Sequence, residues 1–131
     1  MAFGISQIGQ VSLTVDDVDK AERFYGDILG IRKLFRFGDL SFFDCSGLRI
    51  LIEKSNTAPF KPESSVLYFR TSDIGLAFQQ LKARGVSFID TPHLIAPMED
   101  HDLWMVFFKD PAGNTLGLMH EAPKGFKPGE A

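Results

Sequence analysis

One order of elements runs through this chain twice, and it restricts the possible folds more than any other feature. In "IGQVSLTVDD", Val11, Leu13 and Val15 alternate with Gln10, Ser12 and Thr14, the mark of a strand with one apolar face. Asp16 and Asp17 can cap a following helix, whose apolar positions are Val18, Ala21, Phe24, Tyr25, Ile28 and Leu29. Gly30 is a natural stop. Strand-like runs follow at about Arg32–Phe37, Leu40–Asp44 and Leu48–Glu53, broken by "GD" and "CSG" turns. After "KSNTAPFKPESS", which has no periodicity, the order restarts. Val66–Asp73 reads as strand and cap, and Ile74, Ala77, Phe78 and Leu81 as a helix face stopped at Gly85. Short strands are expected near Val86–Ile89 and His93–Ala96. A hairpin then turns on "DPAG", whose Pro and Gly suit a type I turn. Val11, Leu13, Val15 and Asp17 superimpose on Leu67, Phe69, Thr71 and Asp73, and "FFDCSGLRIL" on "FFKDPAGNTLGL". A repeat of this period marks a duplicated unit. The expected fold is α+β: two tandem βαβββ modules, residues 1–55 and 66–122, with a linker at 56–65 and a mobile polar tail at 123–131.

At 131 residues, such a chain can bury a core without staples. A net charge of −3 and scattered basic residues argue against a nucleic-acid partner. No apolar run approaches the roughly 20 residues of a membrane span, and no signal peptide is evident, so neither a membrane nor export is expected. The single cysteine, Cys45, excludes an intrachain disulfide and fits a reducing cytoplasm. Phe is abundant, with 13 residues; such a chain can line an apolar pocket as well as fill a core.

The motifs "V-x-L-x-V-D-D-V-D-K-A-x-x-F-Y…L-G", "F-x-D-C-S-G" and "DPAG-N-x-L" resemble the vicinal oxygen chelate superfamily. That group includes glyoxalase I, extradiol dioxygenases and bleomycin-resistance proteins. The likeness covers about Ile8 to Glu121. It implies sheets curled around a cup. Ala112 stands where the family turn commonly has a second Asp.

In metal-using members, ligands come from cup-facing positions of four strands. Carried onto this chain, the resemblance puts those positions at Gln10, Leu51, Val66 and Gly117. Val, Leu and Gly side chains donate nothing to Zn²⁺, Fe²⁺ or Mn²⁺, and an amide oxygen is a weak neutral donor. No metal and no other cofactor is therefore expected. A two-residue slip of the fourth strand would bring Glu53 into play; a one-residue slip would turn the apolar face outward.

The expected cup lining is Gln10, Ser12, Thr14, Arg49, Leu51, Glu53, Val66, Tyr68, Arg70, Thr115, Gly117 and Met119. Arg49 and Arg70 could grip an anion, or pair with Glu53 or a loop carboxylate. "TPHLIAPMEDHDLW" reads as a loop at the cup mouth that brings Trp104 over a ligand. In it His101, beside carboxylates, is a candidate base, as is Glu53 on its strand; the alternative is a solvated loop. His93 and His101 lack a third ligand. Cys45 and His120 read as structural. The expected function is binding of a small organic molecule in the cup without a metal. The alternative is an enzyme of the same superfamily, a lyase, isomerase or dioxygenase, metal-free or with a displaced metal site. A purely structural partner protein has no supporting charge run or seam. Open sheet edges and the resemblance both imply a homodimer.

Overall fold

The structure, a computed structural model, describes residues 3–5, 7–62 and 65–129. Glu63 and Ser64 of the expected linker, and Glu130 and Ala131 of the expected tail, lie outside the described residues. The chain forms two compact units, Met1–Ser64 and Ser65–Ala131.

The first unit contains β1 (Gln10–Val15), α1 (Val18–Arg23), β2 (Arg32–Phe37), β3 (Leu40–Cys45) and β4 (Leu48–Lys54). Asp17 caps α1, its carboxylate accepting from the Lys20 amide at 3.1 Å. The sequence predicts one regular helix as far as Gly30. Instead, Phe24–Ile28 form a π-helical turn, with the Leu29 amide donating to the Phe24 carbonyl at 2.9 Å. Consecutive Phe24 and Tyr25 are both buried there. The strand order is β1-β4-β3-β2, with β1 parallel to β4 and the other pairs antiparallel. Leu13, Val15, Ile50, Ile52 and Phe43 point to the helix side and make the core with Tyr25. Each such side chain contributes about 1.5–3 kcal/mol on burial.

The second unit contains β5 (Leu67–Arg70), α2 (Ile74–Ala83), β6 (Ser87–Phe88), β7 (His93–Pro97), β8 (Asp102–Lys109) and β9 (Thr115–Ala122). The order is β5-β9-β8-β6, and β7 also pairs with β8. The short strands β6 and β7 thus share the place against β8 that β2 alone holds against β3. Between them the Asp90 carboxylate accepts the Phe107 amide at 2.9 Å, supplying a ladder bond where the strand is interrupted. The Asp110–Gly113 turn closes as its Pro and Gly imply, and Asp110 also accepts from the Asn114 amide at 2.8 Å.

The two curled mixed sheets are the architecture that the repeat predicts. The repeat extends to the register. Ser12 faces Leu51 and Thr14 faces Glu53 in the first sheet; Tyr68 faces Gly117 and Arg70 faces Met119 in the second. Among the described residues, no helix is long and apolar enough to cross a membrane.

Candidate functional site

Each sheet has one face covered by its helix and one open face. On the first, β1 and β4 present Gln10, Ser12, Thr14, Arg49, Leu51 and Glu53 together, because the register pairs them in turn. Ser12 donates to Glu53 at 2.8 Å, and the Arg49 Nε–H donates to the Gln10 Oε1 at 2.9 Å. Arg49 therefore pairs with an amide rather than with Glu53. Phe42 on β3 faces Leu51 and stacks on Phe35 of β2, with ring centres 4.5 Å apart and planes tilted by 21°. The Arg49 guanidinium lies 5.7 Å from the centre of the Phe42 ring. A polar hollow of about 350 Å³ adjoins the Glu53 end, lined by Thr14, Glu53, Lys54, Asn56, Thr57 and Lys61.

A bulge makes this arrangement possible. The β2–β3 register shifts between Lys33 and Phe35, so Lys33 falls opposite Phe43 while Phe35 falls opposite Phe42. Without the extra residue, Lys33 and Phe35 would share a face. With it, Lys33 and Arg36 stay on the helix side. There Lys33, Arg36 and the fully buried Ser41 all donate to Glu22. Burial pushes the Glu22 carboxyl up, but the donations from Lys33, Ser41 and Arg36 outweigh it and hold the group below the usual carboxylate range.

The open face of the second sheet is more apolar. Tyr68 on β5, Gly117 and Met119 on β9, and Met105 and Phe107 on β8 share it. The Tyr68 and Phe107 rings meet edge to face at 5.8 Å. At one end stands a polar group. Arg70 pairs with Glu121 at 2.8 Å, and His101 lies between Glu121 (3.4 Å from Nε2) and Asp100 (2.7 Å from Nδ1). The His101 contact holds the Asp100 carboxyl below its usual range. Arg70 thus has a strand carboxylate as its partner.

The donor set does not fit the metal that the family resemblance implies. The Gln10 amide oxygen is taken by Arg49, whose cation would repel a second one. Leu51 and Val66 have no donor atoms. At Gly117 the space itself is occupied: a Cβ there would lie 2.9 Å from Tyr68 Cδ2 and 3.2 Å from Phe107 Cε1. Among the described residues, no group of three or more His, Cys, Asp or Glu side chains could hold a metal ion.

Three expectations change. The strand expected near His93–Ala96 forms as β7 and pairs with β8, so of the stretch that also reads as a loop only the residues around Met98–His101 form the turn. Cross-strand bonding to β9 extends order into that stretch. Trp104 does not stand over the open face. It faces His120, on the side that carries Val106 and Phe108, and meets the Phe126 ring at 6.2 Å. Nor is the tail a loose polar extension. Phe126 packs on His120 at 4.7 Å, Lys124 donates to Asp102 at 2.8 Å, and the Gly129 backbone abuts Gly75. Lys124 also keeps the Asp102 carboxyl below its usual range.

His120 is buried, and its Nδ1 accepts the Ile74 amide at 3.4 Å, at the start of α2. That contact requires a lone pair on Nδ1, which places the ring proton on Nε2. Burial, with Asp44 nearby, pushes the Cys45 thiol up, which disfavours a nucleophilic role. Phe35, Phe42 and Phe107 escaped the sequence reading of the open faces. The signal was present in "FF" at Phe42–Phe43 and Phe107–Phe108. Adjacent strand residues point to opposite faces, so one Phe of each pair must leave the core.

No curated protein matches the chain by sequence. Among solved structures it is similar to a lactoylglutathione lyase from Agrobacterium tumefaciens: 23% identity, TM-score 0.70, covering 92% of this chain and 98% of that one. It is similar as well to an integron cassette protein from the mobile metagenome of V. cholerae, at 19% identity and TM-score 0.73, covering 93% and 100%. A glyoxalase/bleomycin resistance protein/dioxygenase from Nocardioides matches at 20% identity and TM-score 0.70, covering 99% and 92%. At these identities the likeness shows the fold alone. The family model for the Glyoxalase/Bleomycin resistance protein/Dioxygenase superfamily matches residues 7–118. With that match over most of its length, the chain belongs to the Glyoxalase/Bleomycin resistance protein/Dioxygenase superfamily.

Proposed function

We propose that this protein binds a small, partly aromatic organic molecule on its open sheet faces, as a homodimer and without a metal or other cofactor. The observation that carries the reading is the Tyr68 ring filling the space above Gly117. A position that would hold a ligand side chain becomes part of an aromatic and thioether wall with Phe107 and Met119. Small-molecule sites are built this way, mostly apolar with a few directional groups. Gln10, Ser12, Arg49 and Glu53 supply such groups in the first unit, and Arg70 and Glu121 in the second. Leu51, Val66 and Met119 supply apolar area, at about 25 cal/mol per Å² buried before association costs. The reading places the protein in the cytoplasm, where the Cys45 thiol stays reduced.

One observation favours a second reading, an enzyme using His101 as a general base. Asp100 at 2.7 Å from Nδ1 can orient the ring, and Nε2 faces the Arg70–Glu121 pair. Two measurements decide. Elemental analysis of protein made in metal-supplemented medium should find no stoichiometric Zn, Fe, Mn or Ni; one equivalent, lost in Glu53→Gln or His101→Ala, would overturn the metal-free reading. A thermal-shift screen across aromatic acids, amides, amines and neutral heterocycles should give stabilising hits. Turnover of a hit by the wild type, abolished in His101→Ala with binding kept, would make the protein an enzyme.

A further inference from the structure

We infer that the open face of the first unit is a site for aromatic carboxylates, with Arg49 as the anion-reading group and Phe35 and Phe42 as the stacking platform. The inference rests on the proposed small-molecule function and gives it a ligand class. Its basis is the difference between Arg49 and Arg70, one on each open face. Arg70 is neutralised by Glu121 at 2.8 Å. Arg49 spends only its Nε–H, on the neutral Gln10 amide at 2.9 Å; among the described residues its terminal nitrogens have no hydrogen bond or ion pair. The charge of Arg49 is therefore not cancelled by its partner, and its outer N–H groups are free to fork onto a carboxylate.

The cross-strand carboxylate that could have taken those nitrogens is engaged elsewhere. Asp44 faces Arg49 in the β3–β4 register, but it accepts the Gly47 amide at 3.1 Å and lies 4.0 Å from Arg32. Glu53, two residues along β4, accepts from Ser12.

The aromatic half of the site is equally specific. Phe35 and Phe42 stack at 4.5 Å, and Phe35 remains 50% exposed in that stack. A guanidinium 5.7 Å from the Phe42 ring adds a planar cation beside two planar rings. The Leu34 bulge puts Phe35 on this face, and bulges of this kind re-aim side chains at functional positions. A planar ring laid on the exposed part of the stack, carrying a carboxylate, would meet both features at once. A neutral ring would gain only the stack, and an aliphatic acid only the cation.

The test is calorimetric titration of the full-length protein with naphthoate, naphthamide and cyclohexanecarboxylate. Wild type should bind naphthoate at least tenfold more tightly than either control. Arg49→Met and Phe42→Leu should each weaken it tenfold or more, while Arg23→Met, on the helix that covers the other face of the same sheet, should leave it within about twofold. Both altered residues on this face are at least partly exposed, and circular dichroism checks that the variants fold. Loss of naphthoate binding in Arg70→Met but not in Arg49→Met would overturn the assignment. So would Phe35→Ser lowering the light-scattering mass of a protein that does not bind naphthoate, because the face would then belong to self-association. If other classes in the thermal-shift screen bind and naphthoate does not, the inference fails while the proposed function stands. If no class binds, both fail.

Discussion

Tyr68 and Gly117 face each other across the parallel β5–β9 pair, and the Tyr68 ring occupies the space that any side chain at 117 would need. Gly117→Ala must push that ring or Phe107 aside. Overpacking of this kind costs about 1–3 kcal/mol. Thermal denaturation should show the loss. In the double variant with Tyr68→Ala the cost should be smaller than the sum of the singles, because the clash is gone. Additive effects would mean that the ring does not fill the site.

Glu22 links stability to pH. Its folded-state carboxyl sits below the ordinary range, so the folded state binds the proton less readily than the unfolded chain. Its contribution is complete above the unfolded value and is lost as pH falls through the lowered folded one. Glu22→Gln should cost about 1–2 kcal/mol at neutral pH, within the range for hydrogen bonds to charged groups. Urea denaturation at about pH 7 and about pH 3 should show the gap between wild type and variant closing on acidification. A gap that widens would reverse the sign.

Phe126 anchors the tail against His120 and Trp104. Phe126→Ala should cost about 1–2 kcal/mol, less than the roughly 3–5 kcal/mol for a fully buried Phe. The protein has a single Trp, so its emission reports on this contact alone. The variant should emit at longer wavelength as Trp104 gains water. An unchanged spectrum would mean that the tail does not cover the indole.

Each sheet ends in edge strands, β1 and β2 in the first unit and β5 and the short β6 and β7 in the second. Edges offer unpaired backbone groups to a second chain. Light scattering at micromolar concentration should give about twice the 14.6 kDa chain mass. The monomer mass would remove the dimer from the proposed function.

Where local periodicity carries the signal, the sequence was a good guide. Val11, Leu13 and Val15 reach the helix side as their alternation requires, and the Asp17 and Asp73 caps form at both helix starts. The "DPAG" turn closes as its residues imply. Local pattern is silent where the answer depends on a distant partner. Nothing near Arg70 in sequence says that Glu121 will hold it, and nothing near Arg49 says that Gln10 will take only its Nε–H. Trp104 lies where a strand pattern meets a His- and carboxylate-rich stretch, and only the pairing with β9, opposite His120, sets which face it takes.

The sequence by itself determined the duplicated α+β order, the side of each main strand that is buried, and the absence of metal-donor side chains at Leu51, Val66 and Gly117. These follow from residue type and from periods of two and 3.6, which need no knowledge of neighbours. Only the tertiary structure decided which charges cancel, that a bulge turns Phe35 toward Phe42, and that Tyr68 fills the space at Gly117. Those outcomes depend on strand register and on contacts between residues far apart in the chain, which local pattern does not encode.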